Sequence, residues 1–290
     1  MHSARSACGL RTRHDVRMRT LIIVLLACCG SGLANAQERD PLSSKFIVQT
    51  GWFLMSTDMR VRVDGETTRN TGSDVNYDDT FGIGDFDRFR VDASWRIAPR
   101  HVLRAMYFQN NRSASNTLNR EVEFQDEVFP IGVTVNATSE LTIAQFSYEY
   151  AFLKRDNYEL AGGIGLHYVD MALGLDATIT GGQGSASRDL RGNASTQAPL
   201  PVLGLRGLWR LPYNFYVSAD VQYFYLDMEP YKGSLVDLKA SLVWQFTDHV
   251  GIGVAYDDFG FRFNIEDRPD FDGHLSWDYG GTILFANFMF

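Results

Sequence analysis

From Arg88 to Ile97 the chain alternates without exception. Phe89, Val91, Ala93, Trp95 and Ile97 fall on one face, and Arg88, Arg90, Asp92, Ser94 and Arg96 on the other. A two-residue period predicts a β-strand with one apolar and one polar side. Phe215–Val221 repeats it, with Tyr216, Ser218, Asp220 and Gln222 between, and so does Val236–Phe246, with Asp237, Lys239, Ser241 and Gln245 between. Turn signals separate the runs in two sizes. Short ones are Ala98-Pro99-Arg100-His101, Lys154-Arg155-Asp156-Asn157, Leu211-Pro212-Tyr213-Asn214 and Thr247-Asp248-His249. Longer polar connections fall near 60–84, 112–138 and 178–197, with smaller ones near 228–234 and 266–273. Four short turns alternating with five longer connections predict ten antiparallel strands. These lie near 45–58, 85–97, 101–111, 139–153, 158–172, 199–211, 214–227, 234–246, 249–264 and 275–290.

A soluble sandwich also alternates, but its outward face is the polar one. Here the apolar face gathers aromatics at both strand ends. Trp95, Phe152, Trp209, Phe215, Trp244 and Phe246 lie beside the short turns, and Tyr107, Tyr168, Tyr223, Tyr225 and Tyr256 towards the other end. Two aromatic girdles around an apolar band point to a closed antiparallel transmembrane β-barrel. Closure is required, because an open sheet edge finds no hydrogen-bond partner in lipid. Two places break the parity. In the ninth strand Val250, Ile252, Val254 and Tyr256 are followed by Phe259, Phe261 and Phe263, so either a bulge near Asp257-Asp258 or an exit from the membrane is expected. Gly280-Gly281 separates Trp277 and Tyr279 from the last apolar face in the same way.

The chain ends with Leu284, Ala286, Phe288 and Phe290 on one face. A last strand that closes on phenylalanine resembles the assembly signal of Gram-negative outer-membrane β-barrel proteins. The resemblance is one of architecture over the whole barrel and of motif in this strand alone. It implies outer-membrane lipids, lipopolysaccharide and the barrel-assembly machinery as partners.

The first residues change the picture of composition. From Met18, Arg19 precedes an apolar stretch, Leu21 to Cys29, and small residues lead to Ala34-Asn35-Ala36. This is the layout of a secretory signal peptide cleaved after Ala36, too short in its apolar part to span a bilayer. Residues 1–36 are therefore expected to be leader, with Met1 or Met18 as start, and 37–290 the barrel. A lipoprotein cysteine at Cys28 fits less well, because Leu26 is a poor residue for that pattern. All three cysteines (Cys8, Cys28, Cys29) lie in the leader, which leaves no disulfide and no thiol chemistry in the mature chain. Taking the leader's five Arg and one Asp from 27 basic and 35 acidic residues leaves 22 and 34, a net charge of about −12. Nucleic acid is an unexpected partner for such a chain. The mean hydropathy of −0.17 is what alternating lipid-facing and lumen-facing residues produce.

Candidate chemistry concentrates on the inward face. Arg88, Arg90, Asp92, Arg96, Glu149, Glu159, His167, Arg206, Asp220 and Lys239 are expected there, with Gln145, Arg210 and Asp237. Buried charges need partners, so a network filling the lumen is the first expectation and a narrow solute pore the second. Gly163 and Gly165, beside His167, either make room for arginines or open a small cavity. Ten strands is also the architecture of the omptin proteases, which use acidic pairs and an Asp–His pair at the extracellular rim. Asp78-Asp79, Asp85-x-Asp87, and His274 near Asp272 are the rim candidates, but no Asp-x-His arrangement occurs. No serine pairs convincingly with His167 for a lipid-modifying enzyme. The histidines lack metal-ligand spacing and no cofactor motif is found; acidic loop residues (Asp74, Asp78, Asp79, Glu266, Asp267, Asp270, Asp272) could share divalent cations with lipopolysaccharide phosphates. The reading is thus an outer-membrane surface protein with a largely occluded lumen, structural, adhesive or ligand-binding.

Overall fold

A barrel strand has two different solvents outside it, lipid and water, and one enclosed interior. That boundary condition shapes every long strand in the computed structural model. It describes residues 40–63, 72–82, 86–124, 127–179, 188–228, 231–265 and 273–290. Ten strands form the wall: β1 (Phe46–Val63), β3 (Phe86–Ala98), β4 (His101–Thr117), β7 (Thr134–Lys154), β8 (Tyr158–Ile179), β9 (Arg188–Arg210), β10 (Phe215–Met228), β11 (Tyr231–Gln245), β12 (Val250–Ile265) and β13 (Gly273–Met289). Each pairs antiparallel with the next, and β13 returns to β1 from Ile47↔Met289 to Val63↔Gly273, closing the barrel. Three small elements lie above: β2 (Val75–Asn76), the helix α1 (Tyr77–Phe81) and the hairpin β5–β6 (Val122–Phe124, Glu127–Phe129).

A strand needs about 9–11 residues to cross a bilayer. β7, β8 and β9 have 21, 22 and 23, so about half of each stands clear of the lipid. The faces trade polarity at that level. On β8 the outward residues run Leu160, Ile164, Leu166 and Tyr168, then Asp170, Asp176 and Thr178, while inward Glu159 and His167 give way to Val169, Met171, Leu173 and Leu175. β7 does the same, from outward Phe152, Tyr150, Tyr148 and Phe146 to Thr142, Glu140, Thr138 and Asn136. Inside the membrane band the apolar residues face lipid; above it they face in and build a core, as in a soluble barrel.

The same inversion accounts for the ninth strand. β12 pairs with β11 and β13 without a register shift, so there is no bulge at Asp257-Asp258. Phe259 and Phe261 are buried in the lumen, and Tyr256 points outward. Trp277 and Tyr279 of β13 turn inward for the same reason. Register shifts occur instead at Arg96/Ala98 and Tyr150/Leu153, beside short turns. Among the described residues, 60–84 holds the end of β1, β2 and α1, while the connections expected near 112–138 and 178–197 are largely strand. Their alternation continues, but with Asn, Ser, Thr and Gln outward, which reads as loop when the outward face is assumed apolar. All the predicted girdle aromatics face outward, including Trp95, Trp209 and Trp244 below and Tyr107, Tyr223 and Tyr256 above.

Candidate functional site: the filled lumen

The lower lumen holds two linked clusters of charge. In the first, Arg90 of β3 donates to Asp92 through Nε (2.9 Å) and to Asp257 of β12, while Lys239 of β11 reaches Asp92 at 2.9 Å. In the second, Arg206 of β9 bridges Glu149 (2.6 Å) and Glu159 (2.8 Å). Arg96 holds Glu159 from the other side, at 2.9 and 3.2 Å. Arg104 of β4 donates to Glu149 (2.9 Å) and to Asp220 of β10, and Lys154 lies 3.6 Å from Glu159. Six cations (Arg90, Arg96, Arg104, Lys154, Arg206, Lys239) thus pair with five carboxylates (Asp92, Glu149, Glu159, Asp220, Asp257), and Asp237 lies beside Asp257. Mutual pairing is what makes burial of so many charges tolerable.

Two of the expected residues behave differently. His167 is fully buried and bonds to Gln222 (2.8 Å), with Asp237 3.9 Å away. Arg88 donates to Asn110 Oδ1 (2.9 Å) and to the Asn111 carbonyl (3.2 Å). Arg104, Asp257 and Lys154 were not among the candidates. Around Arg104 both faces carry apolar residues (Leu103, Ala105, Met106, Phe108), which blurs the alternation; Asp257 is hidden by the inversion, and Lys154 reads as turn. Gly163 and Gly165 face inward, and a Cβ on Gly163 would collide with the Tyr148 carbonyl, so glycine lets the wall approach closely there.

Below the network, residues 40–44 turn across the base. Asp40 pairs with Arg210 (3.0 Å), and the Leu42 carbonyl accepts from Lys154 Nζ (2.6 Å). A cavity of about 100 Å³ remains under the network, lined by Pro41, Gln49, Ser94, Arg96, Arg104 and Asn287 among others.

Above it lies an aromatic layer. Phe259 stacks on Tyr279 at 4.6 Å between ring centroids, and Phe53 meets Tyr279 and Phe108 edge-on at 5.7 and 5.9 Å. Arg90 lies 5.9 Å over the Phe53 ring, joining the charged layer to the aromatic one. Helix α1 completes the fill. Tyr77 and Phe81 are fully buried, and the Tyr77 hydroxyl donates to the carbonyls of Thr138 (2.8 Å) and Gly174 (3.1 Å). Asp78 accepts from Arg112 (2.9 Å) and from the Met59 amide (3.0 Å). Burial pushes the Asp78 carboxyl up from its ordinary value, with Arg112 pulling against it.

Asp78 is therefore a buried structural acid, not an acidic loop residue open to divalent cations. Asp74 and Asp79 remain exposed. His274 lies 3.6 Å from Asp74 on the outer wall, while Asp85, Glu266, Asp267, Asp270 and Asp272 fall outside the described residues. Ala34 and Ala36 of the expected cleavage site also lie outside them. Leu284 and Phe290 point to the outer side, with Ala286 and Phe288 half-buried on the same face. Among the described residues no three His, Cys, Asp or Glu side chains gather as metal ligands.

The structure is similar to the outer membrane protease OmpT from Escherichia coli, with a TM-score of 0.56 at 10% identity over 89% of this chain and 100% of that one. Looser matches are the outer membrane protein AlkL (TM-score 0.37, 11% identity, 90% of this chain and 95% of that one) and Ail, the attachment invasion locus protein of Yersinia pestis (0.31, 8%, 83% and 98%). No family model matches the sequence, and no curated protein is similar to it. The fold is that of Gram-negative outer-membrane β-barrels.

Proposed function

We propose that the chain is an outer-membrane surface protein whose lumen is closed to solutes, and whose exposed part is a tall polar wall. Export is by the leader, cleaved after Ala36, and the last strand from Leu284 to Phe290 engages the assembly machinery. The observation that carries the reading is the stacking of four fills in one lumen: the 40–44 turn, the ion-pair network, the aromatic layer and α1. A permeating ion would have to displace all four. The strands that rise beyond the lipid carry Asn136, Thr138, Glu140, Asn193, Ser195 and Gln197 outward, a hydrated surface suited to contacts outside the cell. The likeness to OmpT supports the architecture and, at 10% identity, assigns no chemistry.

Planar-bilayer recording tests the closed lumen. Purified, refolded protein is expected to give no steady conductance steps in molar salt. Regular ohmic steps from the wild type would overturn the reading in favour of a narrow pore.

A further inference from the structure

β9 and β10 are paired only from Arg210↔Tyr216 to Leu203↔Tyr223, although β9 runs on to Arg188 and β10 to Met228. On its other side β9 stays paired with β8 along its length, to Arg188↔Ile179. The cause is in the sequence. The Arg210 amide donates to Asn157, towards β8, and the Leu211 amide to Phe215, towards β10. Amides alternate along a strand, so odd-numbered residues of β9 face β10. The next two odd positions above Leu203 are Pro199 and Pro201, which have no amide hydrogen to donate. The ladder ends where two successive donors are missing.

The parting leaves a lateral notch. Ala194, Thr196 and Ala198 have inward parity yet are only partly buried, whereas their rung partners on β8, Leu173, Met171 and Val169, are buried. Across the gap Leu226 is half-buried and Met228 is 63% exposed despite inward parity. Leu200 and Val202 form the floor, and Phe124 of the β5–β6 hairpin packs against Gly192 and closes the upper end. The lower lip is Leu203, Tyr223 and Tyr225, all more than half exposed, at the top of the lipid-facing band. The notch is therefore continuous with the surface that lipid covers, and its lining is apolar apart from Thr196.

From this we infer that the notch is a binding site for the acyl chain of an outer-leaflet amphiphile. The chain enters sideways above Leu203 and lies on Leu200 and Val202 between Ala198 and Phe224. The headgroup stays outside, beside Gln197 and Asp227. A bilayer lipid reaches this site without crossing water, which a soluble apolar ligand or a peptide cannot do.

The cysteine-free mature chain makes the test clean. Ala198→Cys, labelled with bimane and refolded into phosphatidylcholine vesicles, is read against Asn193→Cys on the polar outer wall. A doxyl-labelled stearate is expected to quench the notch label several-fold more strongly than the wall label. Pro199→Thr with Pro201→Thr, which restores both donors, is expected to zip the strands and bring quenching down to the wall level. Equal quenching at both labels, quenching by aqueous iodide in place of the stearate, or a signal indifferent to the proline replacements would each overturn the site. Thr196→Cys serves if Ala198→Cys does not refold, judged by heat-modifiable migration in gels.

Discussion

Individual ion pairs in this protein differ in worth because their surroundings differ. Glu159 is fully buried and held by two arginines, so removing its carboxylate leaves Arg96 without its ion-pair partner and Arg206 with Glu149 alone, deep in the lumen. Glu159→Ala is expected to cost about 3–5 kcal/mol. Asp58→Ala, which breaks an exposed 3.5 Å pair with Arg60, is expected to cost less than about 1 kcal/mol. Denaturant unfolding in vesicles, followed by tryptophan fluorescence, compares them, and equal losses would refute the buried-network account. Asp78 supplies a pH dependence of known sign. A carboxyl raised by burial holds its proton more tightly in the folded state, so its contribution to stability is present below its unfolded pKa. That contribution is lost as pH rises through the folded value. Helix α1 is expected to be best protected from hydrogen exchange near pH 4 and to open more easily towards neutrality, after correction for intrinsic exchange. Asp78→Asn should flatten the profile; a flat wild-type profile would contradict the assignment.

At the scale of elements, the strands were readable wherever one face met lipid and the other met charge. Arg88–Ile97 is such a stretch, and its inward arginines could be named from parity alone. Legibility fails where the outside changes from lipid to water. There β12 keeps its geometry while its apolar residues change sides, so Asp257 and the aromatics beside it looked like a defect. β4 hid Arg104 because both its faces are apolar near the network. The proline pair in β9 was visible, but its meaning needed the register that shows which side those nitrogens face. An unbulged β12 makes a sharp prediction: one glycine inserted between Asp257 and Asp258 would turn every residue on one side of it to the wrong face. Loss of the heat-modifiable folded form is expected, and normal folding of the insertion variant would show that a bulge is tolerated there.

The whole molecule joins two solubility regimes in one closed sheet, a membrane barrel below and a water-borne barrel with an apolar core above. Function was less legible than fold for a physical reason. Side chains that fill a lumen and side chains that line a pore obey the same alternation, and only the lengths and partners of the groups across the gap distinguish them. One feature of the filling bears on how the molecule is made. Arg90 reaches Asp257 and Lys239 reaches Asp92, contacts between strands that are not neighbours in the wall and that lie 167 and 147 residues apart in the chain. Neither bond can exist until the cylinder has shut, and a one-residue slip at any seam would carry such charges out into hydrocarbon. The lumen network therefore acts as a vernier on the stagger of the strands, stable only when the whole circumference is aligned.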